Sequence, residues 1–133
     1  MTTSVIKQYY DALGEGRILA GKCAACGKLT FPPTCACEHC GKDAIEWVEL
    51  SGRGRCLYLT HGIAPPPNPR FAELAPYCYG HILLEEGVYT QNIVTNVEVD
   101  AGVLARIFEE GPFDVEANII EAGDLPILAF KKL

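Results

Sequence analysis

The spacing of apolar positions changes character twice along the chain. From Ser4 to Leu13, Val5, Tyr9 and Leu13 recur at i, i+4 and i+8, which predicts a short amphipathic helix capped by Thr3 or Ser4 and stopped by Gly14. So short a helix is not stable alone and has to dock on another surface. Residues 23–41 are dense in Cys, Gly and Pro and show no hydrophobic period, as expected of a segment folded by a ligand rather than by a core. From Ile45 the pattern becomes that of strands. Ile45 to Leu50 alternates, Ser51-Gly52-Arg53-Gly54-Arg55 predicts a sharp bend in the strand, and Cys56 to His61 continues it. A loop with Pro65, Pro66, Pro67 and Pro69 follows, since proline donates nothing to a sheet ladder. Tyr77–Glu85 and Val88–Thr95 read as a hairpin turning at Glu86-Gly87. Asp100 then caps a helix over Ala101–Glu110, whose stripe is Val103, Leu104, Ile107 and Phe108, with Gly111 at its C′ position. Two strands close the chain, Asp114–Glu121 and Pro126–Lys131, with Gly123-Asp124 between them.

Strand, strand, strand, helix, strand, strand is the element order of an OB-fold, a five-stranded Greek-key barrel. On this reading the run from Ile45 to His61 is one coiled first strand that turns the barrel's corner. The expected division is residues 1–44 for the helix and cysteine-rich segment and 45–133 for the OB-fold.

The cysteine-rich segment carries the clearest chemistry. Cys23-Ala-Ala-Cys26-Gly27 and Cys37-Glu-His-Cys40-Gly41 are two knuckles separated by ten residues, enough for a short out-and-back ribbon through Leu29-Thr30-Phe31. Two intervening residues let both sulfurs of a knuckle reach one ion, and the following glycine relieves the tight turn. Two knuckles complete a tetrahedral thiolate site for a structural zinc. The alternative, a redox pair, ordinarily uses a single Cys-x-x-Cys beside a βαβ unit. Cys35 has only one residue between it and Cys37, and His39 lies inside the second knuckle, so both are expected to be bystanders. A closed four-thiolate site has no position left for water or substrate.

Charge excludes one function class. The chain carries a formal charge of −6, and residues 51–133 hold eleven acidic side chains against six basic ones. A single-stranded nucleic-acid binder, the other role a ribbon plus OB-fold suggests, needs a basic groove; no nucleic-acid partner is expected. No apolar run approaches the length that spans a bilayer, and no basic-then-apolar leader opens the sequence. With seven cysteines, a reducing cytoplasm is the expected setting and no membrane partner is expected.

The sequence offers one candidate catalytic pair. Cys78 and His81 are three apart, and an odd separation on a strand sends them to opposite faces. Cys56 and Cys78 are read as buried small hydrophobes. No nucleophile elbow, phosphate loop or dinucleotide fingerprint is present. Phe31-Pro32-Pro33 and the proline loop through Phe71 either brace the ribbon or meet another protein; both readings stand.

Cys23-x-x-Cys26-Gly27, Phe31-Pro32-Pro33 and Cys37-x-x-Cys40-Gly41, preceded by a helix and Gly16-Arg17-Ile18-Leu19 and followed by Trp47-Val48-Glu49-Leu50-Ser51-Gly52-Arg53-Gly54, resemble domain-of-unknown-function family thirty-five. The resemblance implies a mainly β protein with an N-terminal helix, a rubredoxin-like zinc ribbon and an OB-fold. It also implies a non-catalytic subunit that assembles with a thiolase-fold enzyme acting on CoA thioesters. On that basis Phe31, Pro32, Pro33 and Phe71 become candidate partner contacts, and Arg53, Arg55 and Arg70 candidate contacts for CoA. Thr34 stands where the family often carries arginine.

Overall fold

A computed structural model describes residues 4–62 and 77–133. The expected proline loop, with Arg70 and Phe71, lies outside the described residues. The chain divides into two compact units, residues 1–51 and 52–133.

In the first unit, α1 spans Val5–Gly14, and the Ser4 hydroxyl accepts a hydrogen bond from the Lys7 N–H at 3.5 Å. The helix buries Ala12 and Leu13, and the turn after it is closed by Gly16 at φ 85° and by the Arg17 N–H donating to the Ala12 carbonyl at 2.9 Å. Three strands follow: β1 (Ile18–Cys23), β2 (Leu29–Thr30) and β3 (Ile45–Leu50), in the sheet order β2-β1-β3. β1 runs antiparallel to β3 from Ile18↔Leu50 to Cys23↔Ile45. It also pairs with β2 through Gly21↔Thr30 and Lys22↔Leu29. A methyl group at Gly21 would sit 2.9 Å from the Ile45 side chain, so the closest point of this sheet is reserved for glycine.

Here the structure corrects the sequence reading. Ile45–Leu50 is not the start of the barrel's first strand but the third strand of the ribbon's sheet, and the division falls after Ser51 rather than after residue 44. Gly52 is the cause: its φ of 81° is left-handed backbone, which breaks one apparent alternating run into two strands of different sheets.

The second unit is a barrel of β4 (Arg53–Gly62), β5 (Tyr77–Leu84), β6 (Tyr89–Thr95), β7 (Phe113–Ala122) and β8 (Leu125–Lys132). Its closed order is β4-β5-β6-β8-β7, with β6 and β8 parallel and the other pairs antiparallel. That is the OB-fold connectivity. α2 (Ala101–Glu110) sits between β6 and β7, as the pattern predicts. The Asp100 carboxylate accepts from the Val103 N–H at 3.1 Å, and Gly111 ends the helix at φ 88°. Cys56, Cys78, Ile82, Leu84, Val94, Val115, Leu128 and Phe130 fill the barrel. β4 carries a bulge between Cys56 and Tyr58, which shifts its outward positions from Arg53 and Arg55 to Tyr58 and Thr60. Cys78 is buried while His81 lies on the opposite, outward face, so the pair cannot act together. No described helix is long and apolar enough to cross a membrane.

Candidate metal centre

Cys23 ends β1, and its chain turns at once into the first knuckle. The Gly27 N–H donates to the Cys23 carbonyl at 2.8 Å, the Cys23 N–H donates to the Lys28 carbonyl at 3.0 Å, and Gly27 has φ 77°. The second knuckle repeats this closely. The Gly41 N–H donates to the Cys37 carbonyl at 2.9 Å, the Cys37 N–H donates to the Lys42 carbonyl at 2.8 Å, and Gly41 also has φ 77°. Two copies of one turn thus face each other, each presenting two sulfurs. Glycine is required after each pair because the turn enters left-handed backbone.

The four sulfurs of Cys23, Cys26, Cys37 and Cys40 lie within 4.8 Å of one another. Cys23 and Cys40 are 3.6 Å apart across the knuckles, as are Cys26 and Cys37. A tetrahedron with zinc–sulfur bonds of about 2.3 Å has edges of about 3.8 Å, so the donor set fits zinc. The charge balance fits as well. Backbone N–H groups donate into two of the sulfurs, Cys26 N–H to Cys23 at 3.5 Å and His39 N–H to Cys37 at 3.3 Å. For Cys37 burial pushes the thiol up, but hydrogen bonds from the backbone of Cys40 and His39 and from the Cys26 and Cys40 thiols together outweigh it and bring the thiol down to about 6. For Cys26 a hydrogen bond from the Lys28 backbone pulls down, but burial and the neighbouring thiols outweigh it and push the thiol up to about 11. Sulfurs crowded this closely need a cation to ionise together, and a dication supplies it. With all four positions of the tetrahedron taken by thiolate, the metal is structural.

Neighbouring residues hold the knuckles rather than the metal. Buried Thr30 accepts from the Glu38 N–H through its hydroxyl at 3.2 Å, tying β2 to the second knuckle. Sequence reasoning passed over Thr30; a hydroxyl on a two-residue strand carries no periodic signal. His39 turns away from the sulfurs and donates from Nε2 to the Leu29 carbonyl at 2.9 Å. Cys35 is exposed and outside the cluster. Phe31 and Pro33 are buried and Pro32 is exposed; the Phe31 ring meets Tyr9 edge-on at 6.1 Å. Burial, with a smaller contribution from Tyr10, pushes the Tyr9 phenol up to about 12. The Phe-Pro-Pro segment therefore seats α1 within its own unit, leaving Pro32 as its accessible member. Arg53 and Arg55 are exposed on β4, paired with Glu85 at 3.6 Å and Asp114 at 3.4 Å.

This arrangement predicts a simple thiol count. With zinc bound, the native protein should present one fast-reacting cysteine to an alkylating reagent, Cys35, because four are ligands and Cys56 and Cys78 are buried. After chelation, mass spectrometry should show the four ligand cysteines labelled as well. Rapid native labelling of Cys37 or Cys40 would contradict the ligand assignment.

Comparison with known proteins finds similarity first in the ribbon and then over most of the chain. Residues 11–46 match the family of ChsH2 rubredoxin-like zinc ribbon domains. The chain is 26% identical over 102 residues to a DUF35 domain-containing scaffold protein of Methanothermobacter thermautotrophicus, covering 76% of this chain and 75% of that protein. It is 35% identical over 82 residues to another of that description from Pyrococcus furiosus, covering 62% and 58%. It is also 34% identical over 89 residues to a probable enoyl-CoA hydratase alpha subunit of Thermomonospora curvata. That match covers 67% of this chain but only 26% of the larger protein. Among solved structures, an Ltp2-ChsH2(DUF35) aldolase chain superposes with a TM-score of 0.74 at 27% identity, over 95% of this chain and 92% of the other.

Proposed function

From its similarity to DUF35 proteins and its closed metal centre we propose that the chain is a DUF35-family protein and a non-catalytic subunit of an enzyme complex that makes or breaks carbon–carbon bonds on CoA thioesters. The partner in this reading is a thiolase-fold subunit, which supplies the nucleophile and the acid–base groups. This chain shapes the shared interface and borders the path taken by the CoA thioester. The observation that carries the proposal is the saturated four-thiolate site: its metal orders the ribbon and leaves no coordination position for substrate. Two relatives described as scaffold proteins, one described as an enoyl-CoA hydratase subunit, and a solved aldolase containing a DUF35 chain support the same role. Phe71 and exposed Pro32 are the proposed partner contacts, with buried Phe31 and Pro33 holding Pro32 in place. Arg53, Arg55 and Arg70 are the proposed contacts for CoA.

The test is co-expression with a thiolase-fold protein from the same genome, followed by size-exclusion chromatography and a thioester-cleavage assay. The two chains should co-elute, through an interface of more than about 1,000 Å², and this chain alone should be inactive. A thiolase that is fully active by itself and elutes without this chain would overturn the proposal.

A further inference from the structure

The four sulfurs of the metal centre are not equivalent toward solvent. Cys23 and Cys37 are buried, whereas Cys26 and Cys40 are exposed. The closest contacts join one of each kind across the knuckles. Exposed Cys26 lies 3.6 Å from buried Cys37, and exposed Cys40 lies 3.6 Å from buried Cys23. Each buried sulfur is also held by backbone, Cys23 by the Cys26 N–H at 3.5 Å and Cys37 by the His39 N–H at 3.3 Å. The space beside the exposed pair is open: a methyl group built on Gly27 or Gly41, the residues that follow Cys26 and Cys40, would meet nothing within 4 Å. Holding zinc does not require such an open edge, since four thiolates complete its tetrahedron whether or not solvent reaches them. The edge instead gives a small oxidant access to two sulfurs, each already touching a second one.

From this geometry we propose that the metal centre is also a peroxide-sensitive switch, in which oxidation enters at exposed Cys26 or Cys40, closes a cross-knuckle disulfide with Cys37 or Cys23, and releases the metal. The Cys26 thiolate attacks hydrogen peroxide, the oxygen–oxygen bond breaks, and Cys26 becomes a sulfenic acid as hydroxide leaves. The Cys37 thiolate then attacks Cys26 Sγ. A sulfur–sulfur bond forms, and the sulfur–oxygen bond breaks with loss of a second hydroxide. Two protons from solvent turn both hydroxides into water. Two thiolates have then lost two electrons, and peroxide has gained them. The metal changes no oxidation state; it loses two of its four ligands and leaves. The 3.6 Å contact selects the partner, because the resolving thiolate already touches the oxidised sulfur and reacts before a second peroxide arrives. Cys35 is exposed but lies outside the cluster, so its own oxidation is faster and removes no ligand. Cys56 and Cys78 are buried, which leaves the barrel out of the reaction. Folding of the first unit thereby comes under oxidant control. What that does to assembly rests on the reading of the chain as a subunit; the thiol chemistry does not.

The experiment treats the zinc-loaded full chain with hydrogen peroxide and reads three signals: zinc released to a chromogenic chelator, Trp47 emission, and disulfides mapped by mass spectrometry after an acid quench. Zinc should leave in step with the loss of ligand thiols. The first disulfide formed should be Cys26–Cys37 or Cys23–Cys40. Trp47 emission should move to longer wavelength, and dithiothreitol with added zinc should restore all three signals. Cys35→Ser should release zinc at the same rate as the parent chain. Where Cys26→Ser and Cys40→Ser lose zinc outright, the double variant Cys26→His, Cys40→His keeps a nitrogen ligand at each exposed position. That variant, loaded with zinc, should hold its metal at peroxide doses that empty the parent. Disulfide mapping on the parent chain decides the matter independently of any variant's folding. Four results would overturn the switch: zinc retained after Cys35 is fully oxidised and peroxide is still in excess; a first disulfide within one knuckle, Cys23–Cys26 or Cys37–Cys40; a first disulfide containing Cys35; or metal loss through sulfinic acids that dithiothreitol does not reverse. The measurement uses no partner subunit, so its outcome is separate from that of the complex.

Discussion

Replacing Cys37 by serine, or stripping the zinc with a chelator, is expected to unfold residues 1–51 and leave the barrel folded. The first unit has little else to hold it. Its sheet contains one two-residue strand, its helix is ten residues long, and its buried apolar side chains are few. A thiolate zinc site contributes about 10–16 kcal/mol in small zinc-folded peptides, more than a whole small domain usually retains as net stability. The chain provides its own reporter, because its one tryptophan, Trp47, lies half-buried in β3 and pairs with Gly21. Chelation should shift Trp47 emission to longer wavelength, while amide exchange in β4–β8 stays protected. Cys35→Ser should leave both signals and the metal content unchanged. A folded Trp47 environment in metal-free protein would show that packing, not zinc, orders the ribbon.

The second large effect is expected at the barrel's centre. Phe130 is fully buried, on the strand that lies between β6 and β7, and it pairs with Ala117 on one side and Val94 on the other. Phe130→Ala removes a whole ring from a closed barrel that cannot collapse around the gap, and about 3–5 kcal/mol of stability should be lost. Gly54→Ala should also destabilise, by about 1–3 kcal/mol, for the opposite reason. Gly54 pairs with Leu84 on β5 and Val115 on β7, and an added methyl would lie 2.5 Å from the Leu83 carbonyl oxygen, a backbone atom with no freedom to give. Urea unfolding of β4–β8, followed by circular dichroism, measures both. Zinc content should be unchanged in each variant, since all four ligand cysteines lie in residues 1–51. A loss below about 1 kcal/mol for Phe130→Ala would mean that the ring's burial contributes far less than core packing ordinarily does.

The metal centre was legible in the sequence because its signal is local. Two Cys-x-x-Cys-Gly turns specify their own hydrogen bonds and left-handed glycines, and ten intervening residues suffice to bring them face to face. The capped helices and the glycine turns of the later strands were legible for the same reason: Ser4, Asp100, Gly111 and Gly123 act on backbone within a few residues of themselves. What the sequence alone left open depended on partners distant along the chain. β1 carries no alternation, because Ile18, Leu19, Ala20 and Gly21 are all buried, so nothing announced it as a strand or as the mate of Ile45–Leu50. An alternating run states that a strand exists but not which sheet it joins. Only the left-handed turn at Gly52 and the pairing with β1 put Ile45–Leu50 with the ribbon. An outward cluster of rings on the barrel arose in the same way. Tyr58, His81 and Tyr89 are scattered over three strands, and only the bulge after Cys56 and the register of β4, β5 and β6 bring their rings together on one surface.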